Sequence, residues 1–216
     1  MKRTVLLTAA LVVLATSASA LTIKNSKHDL SLNSGASWNS TNTNEICVFC
    51  HTPHNPAQNV PLWNRTNPAA GSFTLYKTSA TLTTAAKTSA FAADSISLFC
   101  MSCHDGVTGL GAMTNTSPVG DDSLKMTPLT GPANIGIDLQ NDHPVGFSYD
   151  AAQSDDSTGL FVKATANAAL GGNAFFGAGA NMIECASCHK VHDNANAPFL
   201  RTTNKDSALC LACHNK

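Results

Sequence analysis

The chain has 216 residues and balances 13 Lys and Arg against 14 Asp and Glu, for a formal net charge of −1. That balance gives no basic field to recruit nucleic acid, so nucleic acid is excluded as a partner on charge grounds. Charged residues are 12% and aromatics 6% of the chain, against a usual charged share of about 25%, and so few large rings leave a core of this size to be filled by something else.

In chain order, the first element is Met1-Lys2-Arg3, an apolar run from Val5 to Ala15, and Ala18-Ser19-Ala20. A basic start, a short apolar run and an A-x-A end read as a secretory leader over residues 1–20. The run is too short to span a bilayer, which needs about 20 apolar residues, and no other stretch is long and apolar enough. An exported chain starting at Leu21, without Lys2 and Arg3, keeps 11 basic and 14 acidic residues, a net of −3.

His28 follows, then Cys47-Val-Phe-Cys50-His51 with His54 three residues on, and then Pro61 and Arg65. Residues 72–90 mix alternation with Thr and Ser and read as short strand or loop. Asp94-Ser95 precedes an apolar stretch and Cys100-Met-Ser-Cys103-His104, a good N-cap for a helical turn. Residues 106–136 read as loop from their Gly, Thr, Ser and Pro. His143 stands alone, and residues 164–180, rich in Gly and Ala, read as weakly structured. Cys185-Ala-Ser-Cys188-His189 comes next, with His192 three residues on and then Arg201. Asp206-Ser207, also a good N-cap, introduces the last motif, Cys210-Leu-Ala-Cys213-His214.

All eight Cys thus fall in four copies of C-x-x-C-H, the pattern of covalent c-type haem attachment. On a helical turn, residues i, i+3 and i+4 share a face. Two thiols can then form thioethers to the haem edge while the next imidazole reaches iron. Disulfide pairing, normal for an exported Cys-rich chain, leaves the four His unexplained. Zinc knuckles do not need a His after every second Cys.

Four attached haems take His51, His104, His189 and His214 as proximal ligands and leave four irons with one open axial position each. Four His remain: His28, His54, His143 and His192. The count predicts bis-His ligation, with Met101, Met113, Met126 and Met182 as packing residues. His54 and His192 cannot reach round the ring held by the His three residues before, so each serves a different haem. Bis-His ligation leaves no open iron, which disfavours substrate chemistry and points to an electron carrier rather than an enzyme.

The stretches from Cys47 to Arg65 and from Cys185 to Arg201 share C-x-x-C-H-x-x-H, then Pro, two apolar residues and Arg, once two one-residue gaps are allowed. The chain therefore reads as an internal duplication, with one dihaem module over 21–120 and a second over 121–216. Arg65 and Arg201 are the only Arg after the leader. Each is either a haem-propionate contact, where a guanidinium pairs well with carboxylate, or a solvated surface residue.

The run C-H-T-P-H-N with Pro-Leu-Trp-Asn, then L-F-C-M-S-C-H-D-G, D-H-P-V-G-F, C-A-S-C-H with Phe-Leu-Arg, and C-L-A-C-H-N-K resembles the doubled-CxxCH multihaem cytochromes c of Geobacter-type, metal-reducing bacteria. In motif order it is similar to their tetrahaem, filament-forming extracellular members. The resemblance implies little regular structure, short helices at the motifs, little sheet and a core filled by four covalently bound haem c groups. It also implies an axial His supplied across a subunit interface, for which His28, near the start of the exported chain, is the candidate; ligation within its own chain stays open. The function so implied is extracellular or cell-surface electron transfer by a homopolymer, passing electrons to redox proteins or acceptors such as metal oxides. A monomeric periplasmic shuttle and a multihaem reductase with one open haem are the alternatives.

Overall fold

The computed structural model describes residues 23–116, except 33, 35, 37, 59 and 60, and residues 127–216. The expected leader over 1–20 and Met126 lie outside the described residues.

Regular elements are short and widely spaced. β1 (Thr74–Leu75) pairs in parallel with β2 (Asp138–Leu139). Between them in sequence come α1 (Thr84–Lys87) and α2 (Ile96–His104). β3 (Phe147–Ser148) leads into α3 (Tyr149–Asp155), then come α4 (Lys163–Ala169) and β4 (Met182–Ile183), which returns antiparallel to β3. α5 (Cys185–Cys188) and α6 (Ala208–Leu211) close the chain. The chain is mostly coil with short helices and little sheet, as the reading above expects. Among the described residues no helix is long and apolar enough to cross a membrane.

Two helices form where loop or weak structure was expected. α1 starts because the Thr83 hydroxyl accepts the Ala86 N–H at 3.2 Å, a side-chain cap. α4 forms on Ala, the best helix former, and stops at Gly171 and Gly172, both at positive φ. The expected Ser caps behave differently from expectation. Ser95 sits at the N-cap of α2, but its hydroxyl donates to Glu184 instead of capping. Ser207 is at φ 62°, outside the extended region an N-cap needs.

Apolar side chains gather in three separate clusters rather than one core. The largest joins Phe147, Tyr149 and Phe175 to Leu160, Leu170 and Ile183. A second holds Phe49, Leu110, Met113 and Leu129. The third holds Leu75, Phe91, Leu98, Met101 and Leu139. Met101 and Met113 are thus buried packing residues.

Several contacts cross residue 120, the expected module boundary. β1 pairs with β2, Ala85 N–H bonds Asp155, and Ala90 N–H bonds the Gly146 carbonyl. Gly146 is required there: its φ is +76°, and a Cβ would lie 2.9 Å from the Ala90 oxygen. The first half therefore folds against the second, which positions the motifs described next.

Candidate haem site

Each C-x-x-C-H closes one helical turn. The His51 N–H bonds the Cys47 carbonyl at 2.8 Å, His189 bonds Cys185 at 3.1 Å, and His214 bonds Cys210 at 2.9 Å. The second motif forms the end of α2. Both thiols and the imidazole of a motif then share a face. None of the eight cysteines is joined in a disulfide.

The motifs approach one another in sequence order. The Cys50 thiol lies near Cys103, and burial together with that neighbour pushes it up to about 12. The Cys100 thiol contacts Cys185 across α2 and α5; that contact raises Cys100 and lowers Cys185. Cys188 lies near Cys210 and Cys213, and burial pushes it up.

Three of the four motif imidazoles are oriented by backbone carbonyls. Nδ1 of His51 meets the Pro61 oxygen at 2.8 Å, Nδ1 of His104 meets Ala133 at 2.7 Å, and Nδ1 of His189 meets Pro198 at 3.1 Å. Such a contact needs the hydrogen on Nδ1, which leaves the Nε2 lone pair for metal. Nδ1 of His143 meets Pro144 at 2.9 Å in the same way.

The first and third motifs use one loop design. Thr52 N–H bonds Leu62 and Asn64 N–H bonds Cys50; Lys190 N–H bonds Phe199 and Arg201 N–H bonds Cys188. Leu62 and Phe199 both take positive φ, at 63° and 59°. Pro61 therefore corresponds to Pro198, and Asn64, not Arg65, to Arg201. The sequence match of the two Arg is one residue out of the backbone register.

Three of the four remaining His face motif His in pairs. Ring centroids are 6.0 Å apart for His51 and His192, 6.1 Å for His28 and His104, and 6.3 Å for His143 and His214. Two imidazoles bound on opposite sides of one metal, through metal–nitrogen bonds of about 2.0–2.1 Å, hold their centroids about 6.3 Å apart. The three pairs fit that requirement. Among the described residues no group of three or more His, Cys, Asp or Glu side chains could hold a metal ion. His54 and His189 make no such ring pair; both are exposed, as the paired His143 and His192 are, and His189 lies close to His28 and His104. His28 further stacks on Phe199 at 4.3 Å.

Burial favours the neutral, metal-binding imidazole. It pushes His28 down to about 4, helped by the facing His104. Burial lowers His192, helped by His51, and His214, helped by His143. The His104 imidazole is also lowered by burial.

Both Arg donate to backbone carbonyls. Arg65 is 1% exposed and donates to the carbonyls of Ser102, Gly109 and Leu110. Arg201 donates to Ala186, Gly172 and Asn173. The indole Nε1 of Trp63, whose ring stands edge-on to His51 at 5.8 Å, is buried with no protein partner. An orphaned donor beside a proximal His fits a cofactor that brings carboxylate acceptors.

The family of the doubled CXXCH motif matches residues 178–216. No curated protein matches the chain. The matched span holds the third and fourth motifs and His192. The motifs indicate covalently bound c-type haem, and the match supports a c-type cytochrome of the electron-transfer kind. Haem iron, when bound, supplies one-electron exchange between its ferric and ferrous states. The motif Cys and His would hold the group: Nδ1 contacts at His51, His104 and His189 would leave Nε2 for a metal, and burial favours the neutral form of His28, His104, His192 and His214.

The sequence did not reveal which distal His faces which motif, because that is set by chain crossings. It also did not single out Glu184, a buried carboxylate next to Cys185 whose partners lie in α2 and just before it. A lone Glu immediately before the first Cys of a motif was the only available signal.

Proposed function

We propose that the protein carries four bis-His c-type haems and moves electrons outside the cell as a polymer of identical subunits. In this polymer His54 of one copy is the second axial ligand at the site of His189 in the next. The single observation that carries this reading is the His pairing. Three of the spare His face three motif His within one chain, and His54 and His189 make no such ring pair. One is a donor without an iron, and the other holds an iron without a second ligand. A second copy satisfies both. His28, the candidate from sequence resemblance, stands opposite His104 in its own chain, so the inter-subunit role passes to His54. The leader-like start over 1–20 supports export, and bis-His ligation suits a low-potential respiratory route.

The test compares the native protein with His54→Ala by electron microscopy of the extracellular fraction and by the visible spectrum. The expected result is filaments with low-spin haem in the native protein. The variant should give single-subunit particles with one haem turned high-spin, and added imidazole should return that haem to low spin. Filaments and an all-low-spin spectrum in His54→Ala overturn the ligand assignment. Single subunits with four low-spin haems in the native protein favour a monomeric periplasmic shuttle. Single subunits with one high-spin haem favour a reductase open at His189.

A further inference from the structure

Between the second and third motifs lies a buried carboxylate that the ligand scheme does not use. Glu184 is 4% exposed and immediately precedes Cys185. The Ser95 hydroxyl donates to it at 2.6 Å, and the Ser97 hydroxyl donates to the same oxygen. The Ser187 N–H donates to the Glu184 side chain, while the Ser187 hydroxyl accepts the Glu184 N–H at 2.9 Å, a closed capping box. Ser97 also accepts the Cys185 N–H at 3.0 Å, so its own hydrogen is free for the carboxylate.

Three serines thus turn donors to the carboxylate. Hydrogen bonds satisfy its lone pairs but do not cancel its charge. A buried charge is costly unless it meets an opposite one. The ion pairs among the described residues are Lys163–Asp150 and Lys190–Asp193, and Glu184 is in neither. The thiols nearest the carboxylate are attachment points: Cys185 is the next residue, and Cys100 contacts Cys185. A ferric haem adds a positive charge to its site, and net charge and hydrogen bonding are levers on potential.

We propose that the Glu184 carboxylate is the fixed counter-charge for the ferric haem held by Cys185 and Cys188, and that it lowers that haem's reduction potential relative to the other sites. The proposal rests on the reading of the third motif as a haem site. Ser95 and Ser97 act through the carboxylate: by donating to it they spread its charge and temper its effect.

The experiment is an optically monitored redox titration of the full holoprotein, with haem content measured from pyridine haemochrome absorbance. Glu184→Gln removes the charge and keeps an acceptor oxygen. One component of its titration should shift upward while the others stay in place. Ser95→Ala keeps the charge and removes one donor, so the same component should shift downward. A purely structural role moves both variants in the same direction or moves every component, and either result overturns the proposal. Curves that superimpose on the native one at full haem content do so as well. If Glu184→Gln does not fold, a missing downward shift in Ser95→Ala is enough to overturn it. Native protein lacking haem at the third motif would defeat the haem reading instead, and haem content makes the two failures distinguishable.

Discussion

Arg65 offers the sharpest test of what holds the first two motifs together. Its guanidinium meets the Leu110 carbonyl at 2.6 Å, Gly109 at 2.8 Å, and Ser102 at 3.0 and 3.3 Å. Ser102 lies inside the second motif, so one side chain ties the loop after the first motif to α2 and to the segment beyond it. Hydrogen bonds from a charged donor contribute about 1.5–3 kcal/mol each. Arg65→Ala removes three acceptor contacts, but it also relieves the desolvation of the guanidinium and opens room for water. The net loss is about 4 kcal/mol, which is about 8–16 °C in Tm for a chain of this size. Arg65→Lys keeps the charge, but a point charge on a flexible stem does not span three carbonyls, so its loss is about half as large. Thermal and urea unfolding of the holoprotein, with the potentials recorded alongside, decide the matter. A loss below about 1 kcal/mol in the Ala variant, small for a broken buried network, refutes the reasoning. So does a stability left intact beside a shifted haem potential, which would return Arg65 to a propionate.

Two further substitutions test the frame around the sites. Gly146→Ala combines a left-handed φ, costing about 1–2 kcal/mol, with a Cβ 2.9 Å from the Ala90 oxygen. A total loss of about 2–4 kcal/mol in urea unfolding is expected, and an unchanged midpoint would refute the strain argument. Tyr149→Phe strips a buried hydroxyl that bonds the Phe161 carbonyl at 2.7 Å and Cys213 at 3.3 Å. A loss of about 1–2 kcal/mol is expected, with faster hydrogen exchange at the Phe161 amide, which bonds the Cys213 carbonyl at 2.9 Å; native-like exchange there would count against it.

The attachment motifs were legible in the sequence because their chemistry is carried by spacing. Cys at i and i+3 with His at i+4 must share a face on any helical turn, and all four motifs make such turns. The sparse secondary structure was legible for a related reason, since loop residues separate most motifs. Pairing of distal imidazoles was not legible: His192 reaching His51 depends on how far-apart segments cross, and no local pattern encodes that. The two Arg show a different limit. Matching by residue type aligned Arg65 with Arg201, whereas the hydrogen-bond register aligns Asn64 with Arg201. Asn64 is fully buried and binds the Val48 and Asn115 carbonyls, so it is a frame residue despite its glycosylation-like Asn-x-Thr context. The helix α1 was missed because four residues carry no periodicity, and α4 because Gly at its end masked the Ala that forms it.

If His192 completes the site of His51 as proposed, their facing sets an order of events during biosynthesis. A chain emerging from its N-terminus presents Cys47, Cys50 and His51 early, and the imidazole that completes that site near the end. Loading at the first motif and closure of its site are therefore separate in time. Closing so long a loop adds little to the entropy cost, which grows only with the logarithm of its length, but it slows the search. On the proposed ligation, an iron held at the first motif would be served from one side only until residue 192 arrives, and that open face would need the rest of the chain, or a caretaker, to cover it.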